Sequence, residues 1–465
     1  MSELTHPRVT GSLPGPRSRV LLERQAERES NARTYPRRLP IAIGRAQGSY
    51  IEDVDGNVFI DFLTGAGVLA LGHNHPEVVE AVERQLRILC HGLDFPTELK
   101  DEFVSLQLSL LPESMRDNMK IQFCGPAGAN AVDAALKLCK TATGRGEIVA
   151  FQGAFHGSTH SAMAVTGDIA QKTPVQNHMQ GVHFFPYPYP YRSSVPLSDS
   201  VSAGEACLHY FESVLTDPNG GVTRPAAVIM EMIQAEGGVI PAPTDFAQGV
   251  RRVTAELDVP LIVDEIQTGC GRTGTWFAFE QAGIIPDVVL ASKALGGIGM
   301  PIAVVFYNKR LDVWKPGAHT ATFRGNQLAF AAGVTAARII QRDRVLENVR
   351  EQGIYAFERL LDLESRFDCI GEVRGAGLMI GMEIIDPLTG TGDSQLALAI
   401  QRASLERGLI LELGGRGDCV VRLLPPLNVT RETLDQALEI LGDAIDDTAT
   451  VDHRESSRSS QLARL

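Results

Sequence analysis

Two charged side chains each follow an apolar segment of the sequence, and together they could hold one ligand. Asp264 ends the run Pro-Leu-Ile-Val-Asp, and Lys293 ends the run Val-Val-Leu-Ala-Ser-Lys. Short apolar runs of this kind are typical of parallel strands that helices cover on both faces. Ligands of such sheets bind at the carboxyl ends of the strands. We therefore expect the carboxylate and the amine to face the same ligand.

An amine and a carboxylate at one site suit pyridoxal 5'-phosphate. A lysine amine forms a Schiff base with the aldehyde of this cofactor, and a carboxylate keeps its pyridine nitrogen protonated, so that the ring can accept electrons. A buried ion pair between Asp264 and Lys293 is the alternative explanation, because structural pairs also lie in clefts. These two residues alone leave both explanations open.

Two glycine-containing segments could bind the phosphate and the ring of this cofactor. Residues 124–130 (CGPAGAN) precede a helical pattern, where backbone N–H groups and the helix dipole favour an anion. In residues 151–157 (FQGAFHG), Phe155 follows a predicted strand and could lie against a flat ring. Each segment alone is a weak signal, since glycine turns and aromatic residues are common at such positions.

Together, these segments resemble the class III aminotransferases of the fold-type I pyridoxal-phosphate enzymes. The resemblance extends over residues 42–442. It implies an α/β fold, in which a large domain has a mostly parallel sheet flanked by helices and a smaller domain is α+β. It also implies a homodimer or a dimer of dimers. Its most specific segments are DEIQTGCGRTG at 264–274 followed by SKA at 292–294, LGHNHP at 71–76, EGG at 236–238 and RLLPPL at 422–427.

The resemblance also assigns roles to individual residues. Lys293 should form the Schiff base and move the substrate proton, Asp264 should pair with the pyridinium nitrogen, and Gln267 should hydrogen-bond the phenolic oxygen. Phe155 should stack on the ring. The phosphate should accept hydrogen bonds from backbone N–H groups and from the hydroxyl of Thr322 of the partner subunit. The expected cofactor site therefore contains residues of both subunits. They are Gly128, Ala129, Phe155, His156, Asp264, Gln267, Lys293 and Thr322 of the partner subunit.

Three further residues are implied for the substrates. Arg422 should bind the α-carboxylate of glutamate, Glu236 should be its gating partner, and Glu231 should line the same pocket. An enzyme that accepts two unlike substrates must hide this cation when the distal amine of the other substrate enters. A movable Glu–Arg pair can do so, because a guanidinium binds either carboxylate through two N–H groups.

A narrower resemblance, to the diaminobutyrate–2-oxoglutarate aminotransferases, implies a particular reaction. It rests on YPRRLP at 35–40, ALGHNHP at 70–76, FFPYPY at 184–189 and FRGNQLA at 323–329. The reaction interconverts L-2,4-diaminobutyrate and 2-oxoglutarate with L-aspartate 4-semialdehyde and L-glutamate. The pathway stays open between ectoine, siderophore, diaminopropane and peptide synthesis.

Other functions remain as alternatives. One is another ω-aminotransferase, acting on ornithine, acetylornithine or 4-aminobutyrate. Ser158 stands where the 4-aminobutyrate and ornithine enzymes have an arginine, and this disfavours 4-aminobutyrate as the donor. An aminomutase of the same fold is a second alternative, and a non-catalytic protein that binds the cofactor is a remote third.

The composition argues against several classes of partner. The 465 residues include 43 Lys and Arg and 56 Asp and Glu, giving a net charge of −13, whereas nucleic acids and anionic membranes attract basic proteins. No apolar run approaches the roughly 20 residues of a membrane helix, and no secretory signal is recognisable. Seven scattered cysteines predict reduced thiols and a cytoplasmic location.

Two familiar motifs are not expected to carry function here. The GCGRTG run at 269–274 matches a dinucleotide fingerprint, but it does not directly follow a strand. The histidine pairs at 73 and 75 and at 156 and 160 lack the context of a metal site. We therefore predict neither a nicotinamide cofactor nor a metal.

The order of helical and strand patterns predicts five segments. They are a flexible tail at 1–20, a segment at 21–60 that packs with the small domain, the large cofactor-binding domain at 61–328, the small domain at 329–448 and a flexible tail at 449–465. The elements expected within them are a hairpin at 49–62, helices from Pro76 and at 129–140, strands at 148–151, 226–230, 260–263, 288–291 and 302–307, a long helical stretch at 329–363 and a last helix capped by Thr430.

Overall fold

The computed structural model describes residues 4–175, 178–196 and 200–462, and it describes side chains as far as residue 449. The chain divides into two compact units. The terminal unit consists of Met1–Gly67, Leu71–His75 and Asn348–Leu465. The central unit consists of Val68–Ala70 and Pro76–Glu347.

Strands and helices alternate along most of the described chain. The strands are β1 (Ile43–Gln47), β2 (Tyr50–Asp53), β3 (Val58–Asp61), β4 (Met119–Phe123), β5 (Ile148–Phe151), β6 (Val182–Phe185), β7 (Ala227–Glu231), β8 (Ile233–Gln234), β9 (Ile240–Pro241), β10 (Leu261–Asp264), β11 (Val288–Ala291), β12 (Val304–Asn308), β13 (Ile370–Ala376), β14 (Met379–Ile384), β15 (Leu409–Ile410), β16 (Glu412–Gly414) and β17 (Val420–Leu423). The helices are α1 (Pro16–Arg28), α2 (Tyr35–Arg38), α3 (Thr64–Gly67), α4 (Pro76–Leu86), α5 (Glu98–Ser109), α6 (Glu113–Arg116), α7 (Gly128–Thr143), α8 (His160–Val165), α9 (Ile169–Lys172), α10 (Ala203–Thr216), α11 (Thr244–Glu256), α12 (Gln327–Arg342), α13 (Val345–Arg366), α14 (Ser394–Glu406) and α15 (Arg431–Leu462).

A mostly parallel sheet forms the middle of the central unit. Within the described residues its seven strands lie in the order β4-β12-β11-β10-β7-β5-β6. β10 pairs in parallel with β7 and β11, and β5 does so with β6 and β7. β12 runs antiparallel to both of its neighbours, β11 and β4. The predicted parallel strands are therefore confirmed, and the strand predicted at 302–307 runs in the opposite direction to the rest.

Burial explains why these segments form the core. Every residue of β5, β7, β10 and β11 is buried. α7 covers one face of the sheet and buries the side predicted from its periodicity, namely Val132, Ala135, Leu136 and Cys139. Complete burial of a large aliphatic side chain stabilises the fold by about 1.5–3 kcal/mol. α7 ends at Gly144, whose φ of 68° is the left-handed conformation that glycine adopts most easily.

The terminal unit is built from smaller sheets. The predicted hairpin is formed by β2 and β3, and β15 joins β3 in parallel. A second sheet has the order β13-β14-β17-β16. α15 begins beside Thr430, whose hydroxyl accepts the backbone N–H of Thr433 at 3.2 Å, and this confirms the predicted cap. Its buried face contains Leu434, Ala437, Leu438, Leu441 and Ile445.

The ends of the chain carry more regular structure than the sequence suggests. Arg8 and Val58 exchange two backbone hydrogen bonds of 2.8 Å, and the carboxylate of Asp55 accepts the N–H groups of Arg17 and Ser18 at the start of α1. At the other end, α15 continues through the expected tail as far as Leu462. The last part of that tail, 463–465, lies outside the described residues.

The boundary between the units also differs from the expected one at 328 and 329. α12 packs against α4 and α5, so the central unit continues to Glu347. The expected single helical stretch is two helices, α12 and α13. They are separated at Arg344, which has a φ of 54°, because this backbone conformation cannot continue an α-helix. Among the described residues, every helix is too short or too polar to span a lipid bilayer.

A turn in the central unit is fixed against a neighbouring loop. The N–H of Gly92 donates to the carbonyl of Gly325 at 2.9 Å, and Arg324 forms an ion pair with Asp94. A Cβ on Gly325 would lie 1.9 Å from the carbonyl oxygen of Leu93. Only glycine fits at this position, because backbone atoms cannot move aside as a side chain can.

The Gly325→Ala substitution is therefore expected to lower the free energy of unfolding by about 1–3 kcal/mol, as overpacking does elsewhere. Gly146→Ala is the matched control, since a Cβ there meets nothing within 4 Å. Urea unfolding followed by circular dichroism measures both. Equal midpoints for the two variants would contradict the proposed steric constraint.

Candidate active site

A cavity of about 160 Å³ lies at the carboxyl ends of the central strands. Two larger clefts, of about 520 and 550 Å³, lie elsewhere on the described surface, and their walls contain none of the predicted site residues. The smaller cavity is lined by Gly128, Ala129, Phe155, His156, Gly157, Glu231, Ala235, Glu236, Asp264, Ile266, Gln267, Thr268 and Lys293.

The fold brings most of the predicted site residues to this one cavity. Glu231 ends β7, Asp264 ends β10, and Lys293 follows β11 by two residues. Every expected cofactor residue except Thr322 is part of the lining. Thr322 is exposed in this single chain, and its carbonyl oxygen accepts a hydrogen bond from His91 Nε2 at 2.7 Å. Arg422 belongs to the terminal unit.

Asp264 is held by donors on two sides. Its Oδ2 atom is 2.8 Å from Nδ1 of His156, and its Oδ1 atom accepts the backbone N–H of Ile266 at 3.0 Å. Burial favours the neutral imidazole, but the hydrogen bond and charge of Asp264, together with the charge of Glu231, outweigh it and raise the pKa of His156. His156 therefore orients a buried carboxylate that faces the cavity.

Glu231 connects two segments of the cavity wall. Its Oε1 atom accepts the backbone N–H of Phe155 at 2.9 Å, and its Oε2 atom accepts that of Ala235 at 3.1 Å. Burial raises the pKa of this carboxyl to about 7, although the charge of His156 and the two N–H groups act against the rise. Glu231 thus lines the cavity as expected, and its oxygens also hold the backbone beside Phe155 and Glu236.

Two supporting residues were not found from the sequence. The hydroxyl of Tyr187 donates to the carbonyl of Glu231 at 3.0 Å, and its ring packs against Phe151 and Phe246. Glu265 accepts the hydroxyl of Thr268 at 2.5 Å and the N–H of Phe279 at 2.9 Å. Both residues lie in segments that the sequence analysis quotes, but contacts with the backbone of Glu231 and of Phe279 leave no signal in the residue types.

The backbone of Lys293 has an uncommon conformation. Its φ is 45°, in the left-handed region, which costs a non-glycine residue of order 1–3 kcal/mol. The preceding residue, Ser292, is fixed by a hydrogen bond of 2.8 Å from its hydroxyl to the carbonyl of Ile302. Strain of this kind is concentrated at functional sites, where the surrounding structure enforces it.

The N-terminus of α7 forms a narrow cradle beside the cavity. Ala127, at its cap position, supplies no side-chain hydrogen bond to the first turn of the helix. A Cβ on Gly125 would lie 2.4 Å from Oδ1 of Asn130, and one on Gly157 would lie 2.6 Å from the Cβ of Ala129. A glycine is therefore required at position 157, where the Cβ of Ala129 cannot rotate away, and the small residues of this cradle leave backbone N–H groups and a positive helix end accessible to an anion.

These features fit pyridoxal 5'-phosphate. The cradle suits a phosphate, the Asp264 carboxylate suits a protonated ring nitrogen, and the Lys293 amine suits an aldehyde. Nε2 of His156 is buried and has no hydrogen-bond partner among the described residues, which is consistent with a polar ligand in the cavity. Phe155 provides an aromatic face beside these groups.

Comparison with known proteins identifies a family and several relatives. The sequence matches the family model "Aminotransferase class-III" over residues 31–445. A diaminobutyrate–2-oxoglutarate aminotransferase of Rhizobium meliloti is 50% identical over 435 residues, which cover 91% of this chain and 92% of the relative. The corresponding Haemophilus influenzae protein is 46% identical over 439 residues, covering 92% and 96%. The structure of an (S)-enantioselective ω-transaminase from Thermomicrobium roseum superposes with a TM-score of 0.82 at 25% identity, covering 92% of this chain and 98% of that one.

Glu265 gives the site a measurable pH dependence. Burial raises the pKa of this carboxyl from 4.5 to about 7, so the folded state binds its proton more tightly than the unfolded state. Its contribution to stability is therefore complete below pH 4.5 and is lost as the pH rises to about 7. Glu265→Gln keeps an acceptor for Phe279 and removes the titration.

We expect the free energy of unfolding to fall less steeply with pH in Glu265→Gln than in the unmodified protein, by at most about 1.4 kcal/mol per pH unit. Urea unfolding at pH 5, 6, 7 and 8 measures the slope. Glu83→Gln changes an exposed glutamate of the same unit and should leave it unaltered. Parallel curves for all three proteins would show that Glu265 does not titrate in this window.

Proposed function

The chain belongs to the class III aminotransferase family, and we propose that it exchanges amino groups between L-2,4-diaminobutyrate and 2-oxoglutarate. The products are L-aspartate 4-semialdehyde and L-glutamate, and the reaction is reversible. The observation that carries the proposal is the cavity in which Lys293 and Asp264, from neighbouring parallel strands, meet Phe155 and Gln267. The substrate pair follows the activities named for relatives that are 46% and 50% identical over nine-tenths of the chain.

Different residues of the cavity bind different parts of pyridoxal 5'-phosphate in this proposal. Asp264 holds the ring nitrogen, Gln267 the phenolic oxygen, Phe155 the ring face, and the N–H groups of Gly128 and Ala129 the phosphate. When bound, the cofactor supplies an aldehyde that reacts with amines and a ring that takes up the electrons of a broken C–H bond. His156 keeps the Asp264 carboxylate in place through the 2.8 Å hydrogen bond.

Lys293 moves the proton in both half-reactions. Its Nζ atom would take a proton from the amine-bearing carbon of the donor and deliver it to the cofactor, and in the second half-reaction it would carry a proton from the cofactor to the carbonyl-derived carbon of the acceptor. The short turn that begins at Lys293 and the hydrogen bond of Ser292 fix the start of its side chain. Such fixed placement favours proton transfer, because the amine need not be ordered at each turnover.

Two substrates of different charge must use this one site. We assign the α-carboxylate of glutamate to Arg422 and the neutralisation of Arg422 to Glu236 when diaminobutyrate presents its 4-amino group. A guanidinium suits this exchange, since it binds one carboxylate as readily as another. Ser158, whose hydroxyl donates to Gln171 at 2.9 Å, adds no cation for a distal carboxylate, and this favours diaminobutyrate over 4-aminobutyrate.

A homodimer is part of the proposal. Apolar side chains are exposed on the central unit beside Thr322, and the ring of one of them, Phe323, contacts His91. Exposed apolar patches of this kind are typical of interfaces, and pairing here would bring Thr322 to a partner's phosphate. The patch consists of Leu86, Ile88, Leu89, Leu93, Phe95 and Phe323.

A cytoplasmic location is proposed as well, supported by seven cysteines that are all free thiols.

Replacing the reactive amine should stop turnover. Lys293→Ala is expected to lower kcat by at least about 10³-fold, because both proton transfer and the link to the cofactor depend on this amine. Formation of glutamate from diaminobutyrate and 2-oxoglutarate is the assay. Lys315→Ala, which removes an exposed lysine, is the control and should keep full activity. A Lys293→Ala enzyme with unchanged kcat would falsify the assigned role.

The choice of donor separates the proposal from its alternatives. With 2-oxoglutarate as acceptor, kcat/KM for diaminobutyrate should exceed that for ornithine, acetylornithine and 4-aminobutyrate by at least about tenfold, a difference of about 1.4 kcal/mol. A better rate with one of the other amines would identify a different ω-aminotransferase. Turnover without 2-oxoglutarate would identify an aminomutase. Complete absence of a reaction with glutamate would identify a non-catalytic protein.

A further inference from the structure

The sheet that carries Arg422 also carries a carboxylate directly opposite it. Glu412 on β16 pairs with Arg422 on β17 in antiparallel register, and opposite residues of such strands place their side chains on the same face. Nη2 of Arg422 lies 2.8 Å from Oε2 of Glu412. The Arg422 side chain is fully buried and that of Glu412 is 10% exposed. The ion pair is thus formed within the terminal unit itself.

The geometry of this pair is fixed by two neighbours. The hydroxyl of Tyr35 donates to Oε1 of Glu412 at 3.2 Å, so both oxygens of the carboxylate have named partners. Gly414, on the same face of β16, has no side chain because Arg422 lies across it. A Cβ there would be 2.7 Å from Nε of Arg422. The guanidinium is therefore held in one place before any substrate carboxylate arrives.

Charge explains why such a partner is needed. A guanidinium buried without a counter-charge is strongly unfavourable, and Glu412 provides such a charge from the neighbouring strand. An arginine side chain has five N–H donors, so a guanidinium can contact more than one carboxylate at a time. A substrate carboxylate consequently approaches a cation that is already neutralised.

We propose that Glu412 is a positioning and specificity-determining residue that neutralises Arg422 within its own sheet. This inference rests on the proposed function, in which Arg422 meets the α-carboxylate of glutamate in one half-reaction and an amine-bearing carbon without a carboxylate in the other. Glu412 weakens the attraction of Arg422 for the carboxylate of glutamate, and it shares with Glu236 the neutralisation of Arg422 when diaminobutyrate is bound. It thereby brings the affinities for the two substrates closer together.

The test is the Glu412→Gln holoenzyme, in which the amide can still accept from Arg422 and contact Tyr35 but carries no charge. The KM for glutamate should fall and the KM for diaminobutyrate should rise, so that their ratio changes by about tenfold, the order expected for one charged hydrogen-bond partner. Tyr35→Phe should change the ratio in the same direction and by less. Glu406→Gln, an exposed glutamate of the same unit, should leave it unchanged.

Opposite changes in the two KM values distinguish this role from a merely structural one, because a partial loss of the fold would weaken the binding of both substrates. Unchanged KM values, or an equal rise in both, overturn the proposal. The unmodified enzyme tests the proposed function separately. If it prefers another ω-amine, the same ratio is measured with that amine against glutamate. If it shows no amino-group transfer at all, both the proposed function and this inference are wrong.

Discussion

Two buried carboxyl groups stand side by side at the ends of neighbouring strands, and the cavity depends on how their charges are balanced. Glu231 of β7 pairs in register with Asp264 of β10. His156 donates to Asp264, whereas Glu231 takes two backbone N–H groups. The same bonds that stabilise these carboxyls determine where Phe155 and the turn before Glu236 lie. The hydrogen bonds that balance the charges of these two carboxyl groups therefore also determine the shape of the cavity.

Much of the central unit could be predicted from the sequence, because continuous apolar runs report burial directly. The run ending at Asp264 and the run before Lys293 gave both the strands and the residues at their ends. The direction of β12 could not be predicted, since an apolar run is the same in either orientation. Tyr187 was missed because its partner is a backbone carbonyl distant in the sequence, and Glu265 because one of its two partners is the distant backbone N–H of Phe279. The break at Arg344 depends on a backbone angle that this residue type does not indicate.

Each of the two units has its own cluster of buried charged groups. The central unit places Lys293, Asp264 and Gln267 around one cavity, beyond the ends of parallel strands. The terminal unit buries the guanidinium of Arg422, with Glu412 and Gly414 arranged around it. In the proposed function, the groups of the central unit serve the reaction, and Arg422 with Glu412 distinguishes a substrate carbon that bears a carboxylate from one that does not.

The left-handed backbone of Lys293 has a consequence for how this protein can change over time. At that position a glycine would suit the main chain better than the lysine does, so loss of the reactive amine need not weaken the fold. If selection acted on stability alone, variants without the lysine would fold normally and would therefore not be eliminated. Retention of lysine at such a site depends on selection for turnover, and stability measurements cannot reveal whether that selection still operates.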